Sequence, residues 1–236
     1  MAIYGIATVI TIERETPVSR SDKSPGDRVL VVTEVHKTFS SGIWPWRHRM
    51  PILKGASLTV GAGELVGLVG ENGSGKSTLM KIIVGLLGRD AGTLERKGRL
   101  GYCPQIPLLW DKLTVHEHFE LFARAYKMDR EVATRNRNAL LEELQFARYE
   151  SYRVENLSGG TRQKLNLALA LMHDPELLLL DEPYAGFDWE TYLKFWDMSE
   201  RRRAGGMGIL IVSHFLSERE RLGRIYTLTD GRAVES

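Results

Sequence analysis

The chain has 236 residues, of which 43% are apolar, and 32 basic against 30 acidic residues give a net charge of +2. This composition is enough for a globular protein with a buried core, either one large domain or a domain with a subdomain. The nearly balanced charge gives no reason to expect a nucleic-acid partner. Cys103 is the only cysteine, which excludes an internal disulfide and a cysteine-built zinc site and fits a reducing compartment.

Residues 1–27 are expected to form an N-terminal extension or tail. Met1 to Ile12 carry no charge but lack the basic region and the small-residue cleavage site of a secretion signal. Glu13 to Asp27 are rich in charge, serine and proline, as is typical of a linker. An ordered surface strand and a docking arm for a partner are the alternatives. Because no uncharged apolar run approaches the roughly 20 residues that span a bilayer, any membrane role is expected to come through a partner.

The next part of the chain has the pattern of a phosphate-binding unit. Short β-branched runs at Val29–Val35 and Ser57–Val60 predict strands of a small antiparallel sheet. The apolar run Glu64–Val69 then leads directly into Gly70–Ser77, and Ser77–Leu87 has helical spacing of its apolar residues. Strand, glycine loop and helix are the context that the pattern G-x-x-x-x-G-K-[ST] requires. In such a loop backbone N–H groups wrap the phosphates, the lysine reaches the terminal phosphates and the hydroxyl holds magnesium.

The rest of the chain alternates between helical and strand patterns. Its predicted helices and strands are Val115–Tyr126, Asp129–Phe146, Gly159–His173, Glu176–Asp181, Trp189–Arg203, Gly208–Val212, Leu216–Leu222 and Ile225–Leu228. The first two are helical with no strand between them, which indicates a helical subdomain at about residues 113–158. The predicted fold class is α/β: a P-loop NTPase core over residues 28–236 with a mostly parallel sheet, an antiparallel β annex and an α-helical insertion.

Two further features carry chemistry. The loop Leu157-Ser158-Gly159-Gly160-Thr161 offers a hydroxyl and exposed amides but no lysine, so it is suited to capping a phosphate and not to replacing the first loop. Asp181 and Glu182 end an apolar strand, and ligand groups gather at the carboxyl ends of parallel strands. Asp181 is therefore the candidate Mg²⁺ ligand opposite Ser77, and Glu182 the candidate for polarising an attacking water.

Together these residues resemble the nucleotide-binding subunit of the ATP-binding-cassette (ABC) superfamily over roughly Val29 to Arg232. The order of the motifs is the specific part of the resemblance. The matching segments are Gly70–Thr78 for Walker A, Gln105 for the Q-loop, Leu157–Thr161 with Gln163 for the signature, Leu177–Glu182 for Walker B, Asp188 for the D-loop and His214 for the switch histidine.

The resemblance implies a role for each of these residues. The implied ATP-binding residues are Phe39, Gly70, Asn72, Gly73, Ser74, Gly75, Lys76, Ser77 and Thr78. The implied catalytic residues are Glu182, His214, Gln105 and Lys76, and the implied Mg²⁺ ligands are Ser77, Gln105 and Asp181. The residues implied to contact the ATP of a facing subunit are Ser158, Gly159, Gly160, Gln163 and Asp188.

The sequence departs from the family pattern at two places. The gap between Phe39 and Gly70 is longer than expected, and the extra segment contains Trp44-Pro45-Trp46. Phe39 is the best match for the aromatic residue that stacks on adenine, with Trp44 or Trp46 as alternatives and a simple surface insertion as the third possibility. Pro183–Asp188 replaces the more usual Ser/Thr-rich run after Walker B, although Asp188 is retained.

The resemblance implies an ATP-hydrolysing subunit that drives a separately encoded membrane permease by ATP-driven pairing of two cassettes, identical or different. Residues around Gln105 resemble the exporter branch that includes lipid, drug and antibiotic-resistance pumps. The expected location is the cytoplasmic face of the membrane, held there by the permease. The alternatives are a soluble ABC ATPase of translation or DNA repair, which usually has two cassettes or a long coiled-coil insertion, and a regulatory nucleotide binder without turnover.

Overall fold

A computed structural model describes residues 27–41, 48–213 and 220–236. Within that part of the chain the strands are β1 Arg28–Ser41, β2 His48–Gly61, β3 Leu65–Val69, β4 Ala91–Arg96, β5 Leu100–Cys103, β6 Leu177–Asp181, β7 Gly208–Val212, β8 Arg224–Thr229 and β9 Arg232–Glu235. The helices are α1 Lys76–Ile83, α2 Val115–Ala125, α3 Arg130–Glu143, α4 Gly159–Leu171 and α5 Trp189–Ala204, with 3-10 turns at Ala147–Tyr149 and Val154–Asn156.

The strands form two sheets. One is antiparallel with the order β2-β1-β4, and the other has six strands in the order β5-β6-β7-β3-β8-β9. In the larger sheet every neighbouring pair is parallel except β8 and β9. Parallel strands place their carboxyl ends at the same edge, so the ends of β3, β5, β6 and β7 lie together there.

The larger sheet is the middle layer of the molecule. All residues of β3, β6 and β7 are buried, and their near-continuous apolar sequences reflect packing on both faces. Alternate residues point to opposite faces. Leu177 and Leu179 pack with the antiparallel sheet and α1, while Leu178 and Leu180 pack with α4 and the helical insertion.

The helical insertion closes on itself at its base. The Val154 N–H donates to the Leu113 carbonyl at 3.0 Å, and the Val115 N–H donates to the Tyr152 carbonyl at 3.0 Å. Thr114 caps α2 in a reciprocal arrangement with Glu117, which explains why the helix begins there. The entry and exit of the segment thus meet at one point.

The fold class predicted from the sequence is confirmed, with corrections at the edges of elements. β1 and β2 are each 14 residues long, far longer than the predicted Val29–Val35 and Ser57–Val60, because they pair with each other over their whole length, with several register shifts. Strands β4, β5 and β9 were not predicted: β4 and β9 are largely exposed and lack a continuous apolar run, and β5 has only four residues. α1 and α3 end at Ile83 and Glu143, before the predicted Leu87 and Phe146. The predicted element Leu216–Leu222 lies largely outside the described residues.

Candidate nucleotide-binding site

The loop between β3 and α1 has a backbone that depends on glycine. Gly70 and Gly75 have φ of 153° and 107°, in a region that side chains rarely adopt. A Cβ on Gly70 would also lie 2.5 Å from the Leu228 carbonyl oxygen. Gly75 is the N-cap of α1, so the loop delivers the helix N-terminus, with its free N–H groups, to the edge of the sheet.

Lys76 is held inside this loop. Its ammonium donates to the carbonyls of Gly70 at 2.7 Å and Glu71 at 2.8 Å, and the residue is only 5% exposed. Burial lowers the pKa of Lys76, and the carboxylates of Glu182 and Asp181 oppose that shift. The lysine is thus positioned in the loop and has two carboxylates as electrostatic neighbours.

A cleft of about 300 Å³ lies over the loop and brings together most of the predicted site. The predicted residues that line it are Phe39, Asn72, Gly73, Gly75, Lys76, Ser77, Thr78, Gln105, Asp181 and Glu182. Ile52 and Val212, which were not predicted, line it too. Gly70 and Ser74 shape the loop without lining the cleft. Phe39 is 43% exposed at its rim, while Trp44, Trp46 and His214 lie outside the described residues.

Glu182 follows β6 in an unusual conformation. Its φ is 49°, in the left-handed region that a non-glycine residue occupies only when its surroundings impose it. Its N–H donates to the Val212 carbonyl at 3.1 Å. Its side chain is bonded too: the Gln105 amide donates to the Glu182 carboxylate at 2.8 Å. Through its backbone N–H and its carboxylate, Glu182 thus joins the segments that follow β5 and β6 to the end of β7.

The donor set of the cleft fits a magnesium nucleotide. Ser77 offers an exposed hydroxyl, Asp181 a carboxylate and Gln105 an amide oxygen, and hard oxygen ligands are those that Mg²⁺ prefers. A Cβ built on Gly73 would meet nothing within 4 Å, so the space above the loop is open to phosphate oxygens. Anion-binding N–H groups, a lysine and oxygen ligands therefore share one cleft.

The second glycine loop stands apart from this cleft. Ser158 is the N-cap of α4 and its hydroxyl accepts from the Thr161 N–H at 3.2 Å. Ser158 and Gly159 are exposed, and neither lines the cleft. Asp188 caps α5 in the same way, accepting from the Thr191 N–H at 2.8 Å. That bond lowers the pKa of the Asp188 carboxyl, which is held as a carboxylate on the surface.

Gln163 is placed differently from the sequence prediction. Expected to touch the nucleotide of a facing subunit, it is 2% exposed and turned into the protein. Its neighbour one turn along α4, Asn166, donates to the Pro104 carbonyl at 2.8 Å and to the Cys103 sulfur at 3.2 Å. Gln163 faces the same sulfur at 3.8 Å. This face of α4 therefore packs against the segment that carries Gln105. The buried polar atoms of that contact are satisfied by the two amide side chains of α4.

Three residues in or near the site were not predicted as part of it. Ile52 lines the cleft from a strand that was predicted to start later, at Ser57. Val212 lines it from the last position of β7, a carboxyl end of a parallel strand, and that position was the available signal. Tyr184, buried just after Glu182, was noted only as a departure from the usual motif.

A second cleft, of about 470 Å³, lies between the helical insertion and the start of β5. It is lined by Arg99, Tyr126, Arg135, His173 and Arg202, among others, and by none of the predicted site residues. His173 stacks on Tyr126, and burial lowers its pKa to about 4, so it is neutral at pH 7. The cleft over the phosphate loop is smaller but contains the converging charged groups expected of a reactive site.

Comparison with known proteins finds a family model and relatives that match this chain. The model of the family described as ABC transporter matches residues 53–185, more than half of the chain. A Nod factor export ATP-binding protein I from Burkholderia lata is 37% identical over 196 residues, and one from Rhizobium meliloti strain 1021 is 37% identical over 201 residues. Each alignment covers 78% of this chain but only 64% and 59% of the relative, so the chain spans less than two thirds of their length.

A solved structure shares the fold. It is the dimeric structure of a post-hydrolysis state of an ATP-binding cassette bound to ADP and Pi, with a TM-score of 0.78 and 25% identity over 88% of this chain and 97% of that one. In the part of the chain that the structure describes, no helix is both long enough and apolar enough to cross a bilayer. The relatives named above are export proteins, which does not favour the alternative role in translation or DNA repair.

Proposed function

Since this chain belongs to the ABC transporter family, we propose that it is an ATP-hydrolysing subunit that powers a separately encoded membrane permease, in which two cassettes pair around ATP. The observation that carries the proposal is the cleft over the phosphate loop. It holds Lys76, Asp181, Glu182 and Gln105 together at the carboxyl edge of the parallel sheet. Each has the chemistry that ATP hydrolysis requires.

Binding is assigned to the loop and to the rim of the cleft. The N–H groups from Gly73 to Thr78 and the N-terminus of α1 surround the phosphates, and Lys76 neutralises charge on the β- and γ-phosphates. Phe39 stacks on the adenine, supported by its exposed ring at the rim of the same cleft. Trp44 and Trp46 remain alternatives for that stacking.

Hydrolysis is assigned to Glu182. Its carboxylate accepts a proton from the attacking water as the oxygen–phosphorus bond forms and the bond to ADP breaks. Gln105 donates to that carboxylate at 2.8 Å and so fixes the direction in which it accepts. His214 is proposed to contact the γ-phosphate. Ser77, Asp181 and Gln105 would hold Mg²⁺, which would supply charge neutralisation at the terminal phosphates.

Two cassettes are proposed to share each nucleotide. Ser158 and Gly159 are exposed at the N-terminus of α4 and do not line the cleft of their own chain. A helix N-terminus attracts phosphate, so it is suited to capping a γ-phosphate that another chain holds. Gly160 and Asp188 are assigned to the same contact. The buried Gln163 is assigned instead to packing within its own chain.

Export and membrane location rest on the relatives and on the exposed apolar surface. The Burkholderia and Rhizobium proteins are named for Nod factor export. Ile106, next to Gln105, is 76% exposed, and Leu121 and Tyr152 of the helical insertion are 38% and 49% exposed. Such side chains are suited to contact with a membrane subunit. We place the protein at the cytoplasmic face of the membrane, held by that subunit.

The test is the variant Glu182→Gln. It keeps the side-chain shape but cannot accept the proton of the attacking water, so ATP turnover should fall at least a hundredfold while ATP binding persists. The variant should also accumulate as an ATP-bound dimer, measured by light scattering after size exclusion. Glu95→Gln, an exposed glutamate of β4, is the matched control and should hydrolyse ATP at the normal rate. Rapid hydrolysis by Glu182→Gln would overturn the assignment.

A further inference from the structure

Tyr184 stands where this sequence departs from the usual run of residues after Walker B. It lies two residues beyond Glu182, in the loop that joins β6 to α5, and it is 8% exposed. A buried tyrosine carries a polar hydroxyl into the interior, so the partner of that hydroxyl is informative. In this protein the partner lies just beyond the end of a distant strand, β7.

The Tyr184 hydroxyl donates to the Ser213 hydroxyl oxygen at 2.8 Å. Ser213 follows β7 directly, is 1% exposed, and immediately precedes His214 in the chain. The bond therefore joins the loop after β6 to the end of β7. It is a buried bond between two neutral groups, so removing one hydroxyl leaves the other with a desolvation cost that this bond no longer offsets.

Aromatic side chains of α5 hold the Tyr184 ring in place. The Phe195 and Tyr192 rings lie edge-on to it with centroids 5.5 Å away, and the Trp196 ring lies 6.2 Å away. Phe195 and Trp196 are buried. A ring fixed on these sides presents its hydroxyl at one position, so the bond to Ser213 has little freedom.

Glu182 lies between two connections to β7. On one side its own N–H donates to the Val212 carbonyl at 3.1 Å. On the other, the Tyr184 hydroxyl reaches Ser213. The left-handed backbone of Glu182, with φ of 49°, persists only if neighbouring contacts impose it. The Tyr184–Ser213 bond is one of the contacts in position to do so.

We propose that Tyr184 is a positioning residue, whose hydroxyl bond to Ser213 holds the Glu182 carboxylate in its hydrolytic geometry. This inference rests on the proposed role of Glu182 in ATP hydrolysis. Tyr184 does not line the nucleotide cleft and acts only through the backbone and through Ser213. Its loss should therefore alter the rate of the chemical step and leave nucleotide binding in place.

The experiment is a double-mutant cycle with Tyr184→Phe and Ser213→Ala. Tyr184→Phe keeps the ring in its aromatic cluster and removes only the hydroxyl. Each single variant should lower kcat for ATP about tenfold with KM within about twofold, and the double variant should be no slower than the singles because both act through one bond. Hydrogen exchange at the peptide containing Glu182 should rise in all three.

Tyr226→Phe is the matched control. It removes another hydroxyl, which contacts Thr59 at 3.4 Å, from a strand that does not line the cleft. Its kcat should equal that of the wild type. A Tyr184→Phe kcat within twofold of wild type, multiplicative effects in the double variant, or unchanged exchange at Glu182 would each overturn the positioning role. A wild-type protein that binds ATP without hydrolysing it would instead overturn the proposed function, and this inference with it.

Discussion

The two glycine-rich loops of this chain use the same residue for different physical reasons. In the loop before α1, Gly70 and Gly75 have φ of 153° and 107°, so glycine is needed for the backbone itself. At the start of α4, Gly159 and Gly160 have no such φ and belong to the helix. There glycine leaves space: a Cβ on Gly160 would lie 2.5 Å from the Gly186 carbonyl oxygen.

The surroundings of the loops differ in the same way. The first loop wraps a buried lysine and faces a cleft lined by five charged or amide side chains of its own chain, that lysine included. The second presents exposed backbone and the Ser158 cap to the surface. The first has the features of a complete anion site and the second those of half a site, which is why substitutions in the two loops should have different consequences.

The largest effect is expected from Gly70→Ala. The new Cβ would collide with the Leu228 carbonyl oxygen at 2.5 Å, and alanine is strained at a φ of 153°. The loop must shift, which misplaces the N–H groups that bind phosphate. We expect at least a hundredfold loss of ATP affinity, measured by calorimetric titration.

Gly88→Ala is the control for that variant, because a Cβ there meets nothing within 4 Å. It should bind ATP normally. Wild-type ATP affinity in Gly70→Ala would show that the loop conformation is not what binds the phosphates, and the contrast between the loops would lose its physical basis.

Gly160→Ala should have a smaller and different effect. Its Cβ would force α4 and the loop at Gly186 apart, which displaces the exposed Ser158–Gly159 segment but not the phosphate loop. ATP affinity of the isolated subunit should stay within about twofold, while ATP turnover should fall about tenfold through weaker pairing of cassettes. Loss of ATP affinity would place the second loop in its own chain's site and remove the distinction drawn above.

The phosphate loop and the carboxylates were predictable because their signals are local. A strand, Gly70–Ser77 and a helix follow one another in sequence, and Asp181 with Glu182 ends an apolar strand. The fold class followed from the same alternation. Lys76, Asp181 and Glu182 then meet because parallel strands end at one edge.

Contacts between distant segments were out of reach of the sequence. The burial of Gln163 depends on how α4 packs against the segment of Cys103 and Pro104, and the Tyr184–Ser213 bond joins residues 29 positions apart. The full length of the β1–β2 pair was also missed, since the part near Ser41 and His48 is polar and the pairing is irregular in register. Local patterns carry no information on such partners.

Gly159→Ala should give the smallest effect and the sharpest test of the contrast. A Cβ there meets nothing within 4 Å in the single chain, and the residue opens α4. Alanine favours the helix over glycine, so the free energy of unfolding should rise by about 0.5 kcal/mol, measured by urea denaturation. ATP affinity of the isolated subunit should not change.

If a facing subunit's phosphates approach the Gly159 backbone closely, ATP turnover of Gly159→Ala should nevertheless fall severalfold, because the methyl group occupies space that is empty only in the monomer. A more stable protein with full turnover would mean that glycine here serves neither the chain nor its partner.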